Sequence, residues 1–358
     1  MTPVRLQRMA DAEPGAHGHD WVIDVRSPAE YADDHLPGAI NLPVLDDAER
    51  ARVGTVYKQQ SPFLARKIGA ALVARNAARH IEDTLAEFDG GWRPLVYCWR
   101  GGQRSGSFAT ILAQIGWRVG VLEGGYKSWR RLVTETLEAP VAPPVVVLDG
   151  NTGTAKTAVL ARLAEEGAQV IDLEALARHR GSVFGEHADG QPSQRLFEGR
   201  LARALAAADP ARPLIIEAES ARIGALRVPG RLWRAMVEAP RIEIAAPVPA
   251  RARWLVAAYA DIVADPARLL ATLERLRALH PAERIAGWGA LAAAGRYADL
   301  AEALMVDHYD PGYARARARG RAADRVIATD ALGPADIDRL AGQVQAAAEA
   351  LAAARANA

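Results

Sequence analysis

Short apolar runs alternate with helix-period patterns through the first part of the chain. Trp21–Val25 and Pro94–Cys98 read as buried strands, a polar helix starts at Pro28, and another helix covers Ser105–Gly116. That rhythm predicts a mostly parallel α/β sheet. Val119–Leu122 reads as a further strand, Gly124-Gly125 as a turn and Tyr126–Leu137 as a closing helix. Between Leu45 and Phe88, an Ala-rich and charged stretch predicts helices laid across the sheet. Glu138–Pro144 holds three prolines in seven residues, which opposes helix and central strand alike and marks a stiff linker. The α/β rhythm then restarts at Val145–Leu148, with strands expected at Gln169–Asp172, Leu214–Glu217 and Arg241–Ala245. From Ala250 to Met305 the pattern is helical with a break at Pro281, and the Ala-rich stretch from Pro334 reads as one amphipathic helix. The expected organisation is a first domain over 1–137, a linker over 138–144, a second domain with a helical extension over 145–333, and a terminal helix over 334–358.

Composition narrows the class. At about 100–200 residues per domain, 358 residues fit two domains. A 50% hydrophobic chain with 44 Lys+Arg against 43 Asp+Glu is neither disordered nor fibrous. The single Cys excludes an internal disulfide and a cysteine-rich zinc site, and suits a reducing compartment. No run approaches the ~18 apolar residues of a membrane helix, and MTPVRLQRMADAEPG carries no apolar signal core, so the expectation is a cytoplasmic protein with no membrane partner. The net charge of +1 argues against a broadly basic coat and leaves room for a local cationic face.

Cys98 ends a strand and opens Cys-Trp-Arg-Gly-Gly-Gln-Arg-Ser, which runs into a helix. A thiol at a helix N-terminus, flanked by Arg100 and Arg104, has its thiolate favoured by the dipole and by two cations. Gly101 and Gly102 let successive N–H groups, with Gln103 and Ser105 behind them, curl into an anion cradle. A lone Cys is ordinarily a small buried hydrophobe; the Gly pair and the two arginines favour a nucleophile instead. Two chemistries share this geometry, sulfur-group transfer through a persulfide and phosphate-ester cleavage through a phosphocysteine. Tyr97 stands where such phosphatases usually carry His.

Leu148-Asp-Gly-Asn-Thr-Gly-Thr-Ala-Lys-Thr-Ala is a strand followed by a Walker A-like loop with Gly150, Thr152, Gly153, Thr154, Lys156 and Thr157. Such a loop wraps phosphates in backbone N–H groups, adds a Lys charge and offers a Thr hydroxyl to Mg²⁺, here Thr157. Ala155 replaces the second Gly, which favours diphosphate recognition over nucleotide hydrolysis. Pro213–Glu217 resembles a Walker B strand ending in an acid, and Glu219 follows two residues on.

Asp24–Pro43 (DVRSPAEYADDHLPGAINLP) and Val121–Trp129 (VLEGGYKSW) resemble the two signatures of the rhodanese domain, in which Asp24 and Arg26 would brace the active-site region. The segments VIDLEALARHRGSVFG, QRLFE, AESARIG and Tyr309-Asp-Pro311 are similar to the second domain of the bacterial tRNA 2-selenouridine synthases. The resemblance spans about Trp21 to about Tyr313 and implies a fold and a reaction. The fold is an N-terminal rhodanese-like α/β domain followed by a P-loop-like α/β domain with a helical C-terminal part. In the implied reaction, wobble 2-thiouridine of tRNA is S-alkylated by geranyl diphosphate, and selenium from selenophosphate then displaces the S-geranyl group. The phosphate loop would hold the diphosphate, and Cys98 would carry selenium as a selanyl sulfide. No cofactor is expected to be tightly bound, Mg²⁺ at Thr157 apart, and an enzyme supplying selenophosphate is an expected partner. The alternatives are an ATP-dependent tRNA thiolation enzyme using a persulfide at Cys98 and a rhodanese-like regulatory module without catalysis.

Eight Arg against four acids between Arg195 and Arg234 suggest a cationic surface for tRNA in the second domain, with Arg195, Arg222 and Arg227 as candidates. Arg315, Arg317, Arg319 and Arg321 read as a flexible basic segment, a second candidate for tRNA. His179 and His187 flank a Gly-rich loop, and Tyr57, Lys58 and Gln59 resemble a family segment of the first domain's insertion.

Overall fold

The computed structural model describes residues 1–185, 189–319 and 322–356; His187, Arg321 and the side chain of Arg319 lie outside that description. Two compact units appear, one of residues 1–139 with 192–207, the other of 140–191 with 208–358.

The first unit is built on a parallel sheet of β1 (Thr2–Val4), β2 (Trp21–Asp24), β3 (Ile40–Asn41), β4 (Pro94–Tyr97) and β5 (Gly120–Leu122), in the order β1-β5-β4-β2-β3. Central strand β4 is buried along its whole length, as a parallel strand covered on both faces must be. Ile23, Val25 and Val96 of the sheet pack against Phe108 and Leu112 of the helix Gln103–Ile115 and against Leu72, Val73 and Ala77 of the helix Pro62–Glu82. An aromatic stack of Phe88 on Trp92, with Trp117 edge-on to Trp92, closes one end of this core. The N-terminus of helix Pro28–Asp33 is fixed by Ser27 and Glu30, whose Oε2 accepts the Ser27 N–H at 3.3 Å.

The helix Gln194–Ala207, expected in the second domain, belongs to this first unit. It lies on helix Tyr126–Glu138, tied by Arg130 to Glu198, by Arg195 to Asp33 at 2.6 Å and by Arg203 to Glu13. Gly199 allows the approach, since a side chain there would sit 3.3 Å from both Trp129 and Asp34.

The second unit holds β6 (Val145–Asp149), β7 (Gln169–Ile171), β8 (Leu214–Glu217), β9 (Arg222–Ile223), β10 (Leu226–Arg227), β11 (Arg241–Ala245) and β12 (Arg325–Ala328). Five of these make a parallel sheet in the order β12-β11-β6-β8-β7, and β9 and β10 form a separate antiparallel pair. Val146, Leu148, Ile215, Ile242 and Ile244 meet Val159, Leu160 and Leu163 of the helix Lys156–Glu165 and Leu340, Ala341 and Val344 of the terminal helix Pro334–Ala356. A second core of Ile262, Leu269, Leu273, Ile285, Trp288, Leu300 and Leu304 holds the helices between residues 260 and 304 together. The basic segment expected to be flexible is instead the helix Asp310–Arg319, continuing from a π-helical turn over Met305–Tyr309. Among the described residues, no helix is long and apolar enough to cross a membrane.

Candidate functional site

Each sheet delivers one loop at the C-terminal end of a central strand. In the first unit, β4 leads into Cys98, and Gly102 caps the helix that begins at Gln103. The loop lies against the turn before helix Tyr126–Glu138, where the Tyr126 N–H donates to the Cys98 carbonyl at 2.8 Å and the Lys127 N–H to the Trp99 carbonyl at 3.1 Å. Gly125, at φ +57°, makes this fit, because a Cβ there would fall 2.2 Å from the Cys98 oxygen. Gly101, at φ +67°, would likewise press a Cβ to 2.7 Å from the Leu122 carbonyl oxygen. Gly101 and Gly125, one from each segment, are therefore what lets the two turns fit closely together.

Cys98 is buried, and its Sγ receives the Gly102 N–H at 3.3 Å and the Ser105 hydroxyl at 3.2 Å. Burial works to raise the thiol; hydrogen bonds from the Ser105 hydroxyl and N–H and from the N–H groups of Arg100 and Gly102 outweigh it and hold the thiol below its ordinary value. The expected cationic flank is not what does this. Arg104 is turned to Glu30 at 2.6 Å, and the Arg100 side chain is exposed, contributing its backbone N–H. Asp24 and Arg26 are fully buried in a forked ion pair, Nη2 to Oδ2 at 2.6 Å, and Arg26 also donates to the Asp34 carbonyl. The Arg26 guanidinium lies 4.0 Å from the Tyr126 ring centroid, which ties this pair to the wall behind the thiol loop.

In the second unit, β6 leads into Gly150–Ala155 and the helix that begins at Lys156. Gly150 (φ +150°) and Gly153 (φ +84°) take conformations that side chains rarely adopt, and Ala155 is itself left-handed at φ +60°. The loop thus keeps the backbone a second Gly would give, with the Ala methyl buried in the core below. Lys156 Nζ folds onto the Gly150 carbonyl at 2.8 Å, Thr154 Oγ1 donates to the Asn151 carbonyl at 2.8 Å, and Thr157 Oγ1 lies 3.4 Å from Glu217 Oε1. Burial of Lys156 disfavours its charge, but Tyr313, Glu217, Glu174 and Asp149 around it more than compensate. Burial pushes Glu217, Glu174 and Glu219 up, helped at Glu174 by the charges of Glu217 and Glu219 and at Glu217 by those of Asp172 and Glu219.

Several of the residues that hold this loop carry no motif of their own. Arg251 grips Asp310 through two hydrogen bonds of 2.9 and 2.7 Å and donates to the Thr152 carbonyl at 3.1 Å, while Asp310 accepts from Asn151 at 3.0 Å. Arg317 reaches Asn151 and pairs with Glu243 at 3.2 Å, and the Thr152 hydroxyl lies 3.5 Å from Tyr313 Oη. The resemblance of Tyr309-Asp-Pro311 to a known segment is the one sequence signal that reaches this brace. Thr152, Tyr313 and Arg317 line a cavity of about 1250 Å³ with Lys156, Thr157, Glu174, Glu217 and Glu219. An apolar slot adjoins it at Thr152, Ser182, Leu255, Tyr259 and Tyr309, walled by Phe184, Ile262, Leu269, Leu300 and Leu304. Nothing in the sequence reading indicates that slot.

The three tRNA candidates are not gathered on one unit. Arg195 is in the first, whereas Arg222 and Arg227 are exposed and in register across the β9–β10 pair of the second. His179 is buried, its Nδ1 accepting the Gly181 N–H at 3.1 Å. Tyr57, Lys58 and Gln59 are exposed at the end of the helix Asp47–Gln59.

Known proteins match along the same division. A rhodanese-like domain model matches residues 2–132, and the model described as the tRNA 2-selenouridine synthase AAA domain matches 143–276. A tRNA 2-selenouridine synthase from Chromohalobacter salexigens is 40% identical over 241 residues, covering 67% of this chain and 65% of that protein. One from Shewanella loihica is 38% identical over 248 residues, 68% of this chain and 65% of that protein. The chain thus spans slightly less than two thirds of the length of these two relatives. One from Verminephrobacter eiseniae is 36% identical over 333 residues, 82% of this chain and 88% of that protein. With the thiol loop on the parallel sheet that the rhodanese-like model matches and the phosphate loop on the one that the synthase AAA model matches, the chain belongs to the tRNA 2-selenouridine synthase family.

Proposed function

We propose that the protein converts wobble 2-thiouridine of tRNA to 2-selenouridine through an S-geranyl intermediate. In the first step the thiocarbonyl sulfur attacks C1 of geranyl diphosphate, a C–S bond forms, the C–O bond to diphosphate breaks, and the N3 proton of the base leaves. The phosphate loop takes the departing diphosphate, with the Gly150–Ala155 backbone wrapping it and Lys156 supplying charge. Raised carboxyl groups beside Lys156 suit this role, because burial weakens the negative charge of Glu174 and Glu217 that would otherwise repel the anion. Among the described residues no group of three acids, His or Cys is placed to hold a metal. A Mg²⁺ ion at Thr157 would therefore depend on the diphosphate and water for further ligands.

The second step is assigned to the thiol loop, where the cradle around Cys98 suits an anionic selenium donor. Selenium bonds to C2 as the C2–S bond breaks; with selenophosphate and water consumed, the products are 2-selenouridine, geranylthiol and phosphate. A thioether leaves more readily than a thiocarbonyl sulfur, which accounts for alkylation coming first. The proposed partners are tRNA and an enzyme that supplies selenophosphate.

The observation that carries this reading is the apolar slot beside the phosphate loop. The slot is small, about 80 Å³, with mostly hydrocarbon and aromatic walls, so it suits part of the apolar chain of a diphosphate ester held in the larger cavity. The test is nucleoside mass spectrometry on a 2-thiouridine anticodon stem-loop RNA incubated with the purified protein. Geranyl diphosphate alone should give S-geranyl-2-thiouridine, and added selenophosphate should convert it to 2-selenouridine. Thiouridine left unaltered by folded protein and geranyl diphosphate would contradict the proposal.

A further inference from the structure

A groove of about 640 Å³ runs beside the thiol loop, lined by Trp99, Lys127, Arg130, Arg131 and Arg195 among others. Trp99 is the residue after Cys98, and its backbone is pinned to the turn that carries Lys127. Its ring lies 5.1 Å from that of Tyr126 at an interplanar angle of 33°, and the buried Arg26 guanidinium sits against Tyr126. The indole is thus backed by a rigid wall and remains partly exposed.

The cations of the groove come from two helices. Lys127, Arg130 and Arg131 stand on Tyr126–Glu138, and Arg195 on Gln194–Ala207. Arg130 pairs with Glu198, Arg131 with Glu135 at 3.1 Å and Arg195 with Asp33 at 2.6 Å. Lys127 makes no ion pair among the described residues. A guanidinium paired along one edge still has N–H groups to offer a phosphate, and a lysine without a partner offers its whole charge.

An aromatic shelf one residue from a buried nucleophile, rimmed by cations, is the combination that binds single-stranded nucleic acid: bases stack on the ring and the backbone follows the charge. We infer that this groove binds single-stranded RNA, with Trp99 the platform on which the unstacked base lies beside the thiol loop and Lys127 the main phosphate contact. The inference rests on the reading of the protein as a tRNA-modifying enzyme and deepens it by placing the RNA on the first unit. Trp99 is a positioning residue here; it takes no part in bond making.

The test is fluorescence anisotropy with an anticodon stem-loop RNA across a salt series, using the full chain and the variants Trp99→Ala, Trp99→Phe and Lys127→Glu. Loss of the stacking surface should weaken binding roughly tenfold, and Phe should restore most of it. Lys127→Glu should weaken binding and lower the magnitude of the salt slope by about one. The iodoacetamide rate at Cys98, unchanged in Lys127→Glu, shows that the loop is intact. Wild-type affinity in both Trp99→Ala and Lys127→Glu, with the parent protein binding the RNA well, overturns the groove and leaves the tRNA reading standing. A parent protein that binds the stem-loop no better than an unrelated hairpin overturns that reading itself, and the groove with it.

Discussion

The two loops occupy the same place in their sheets and treat negative charge differently. Around Cys98 the charge that the loop favours is the protein's own thiolate, with the Ser105 hydroxyl at 3.2 Å and the Gly102 N–H at 3.3 Å directed at the sulfur, while Arg104 is spent on Glu30. Around Lys156 the expected anion comes from outside, and a half-buried ammonium waits on a carbonyl oxygen among carboxyl groups that burial has pushed up. A thiolate formed in place can be favoured by fixed dipoles alone, whereas a visiting diphosphate needs a full charge to meet it.

The largest expected effect breaks one loop and spares the other. Lys156→Ala should raise the Kd for geranyl diphosphate at least tenfold, measured by calorimetry, and stop geranylation, because a charge-assisted contact contributes about 1.5–3 kcal/mol. The alkylation rate of Cys98 should stay at the parent value. Ser105→Ala acts on the other loop and less strongly. One hydrogen bond to the sulfur is worth about 1 kcal/mol, so the thiol should shift upward and its alkylation at pH 7 slow about fivefold, with geranyl diphosphate affinity unchanged.

The smallest effect on the chemistry of either loop concerns Asp34, fully buried behind the thiol loop, where burial lifts its carboxyl to about 6 against an accepted hydrogen bond from Tyr126. The folded state holds that proton more tightly than the unfolded chain, so stability from this group falls as pH rises from about 4 to about 6 and stays low above it. Asp34→Asn should therefore remove a loss of up to about 3 kcal/mol at pH 7, the equivalent of a rise from about 4 to about 6, and change nothing below pH 4, read from urea unfolding at both pH values.

Much of this was legible from the residues. The strands β8 and β11 fall where their β-branched runs place them, and the terminal helix starts at Pro334. Strands β1, β3 and β12 have two to four residues and sit at sheet edges, too short for a period to show. Both loops announce themselves because glycine spacing and a nucleophile or lysine are local. What surrounds them is not: the turn of Arg104 to Glu30 crosses 74 positions, and the Arg251–Asp310 brace crosses 59. The helix bearing Arg195 joins the first unit through contacts that no pattern in its own sequence announces.

The central claim is that alkylation and selenium transfer belong to separate loops, and Cys98→Ala tests it most directly. Mass spectrometry of a 2-thiouridine stem-loop incubated with this variant, geranyl diphosphate and selenophosphate should show S-geranyl-2-thiouridine accumulating at the parent rate and no 2-selenouridine. Loss of geranylation in the folded variant, or formation of 2-selenouridine without the thiol, would contradict the account.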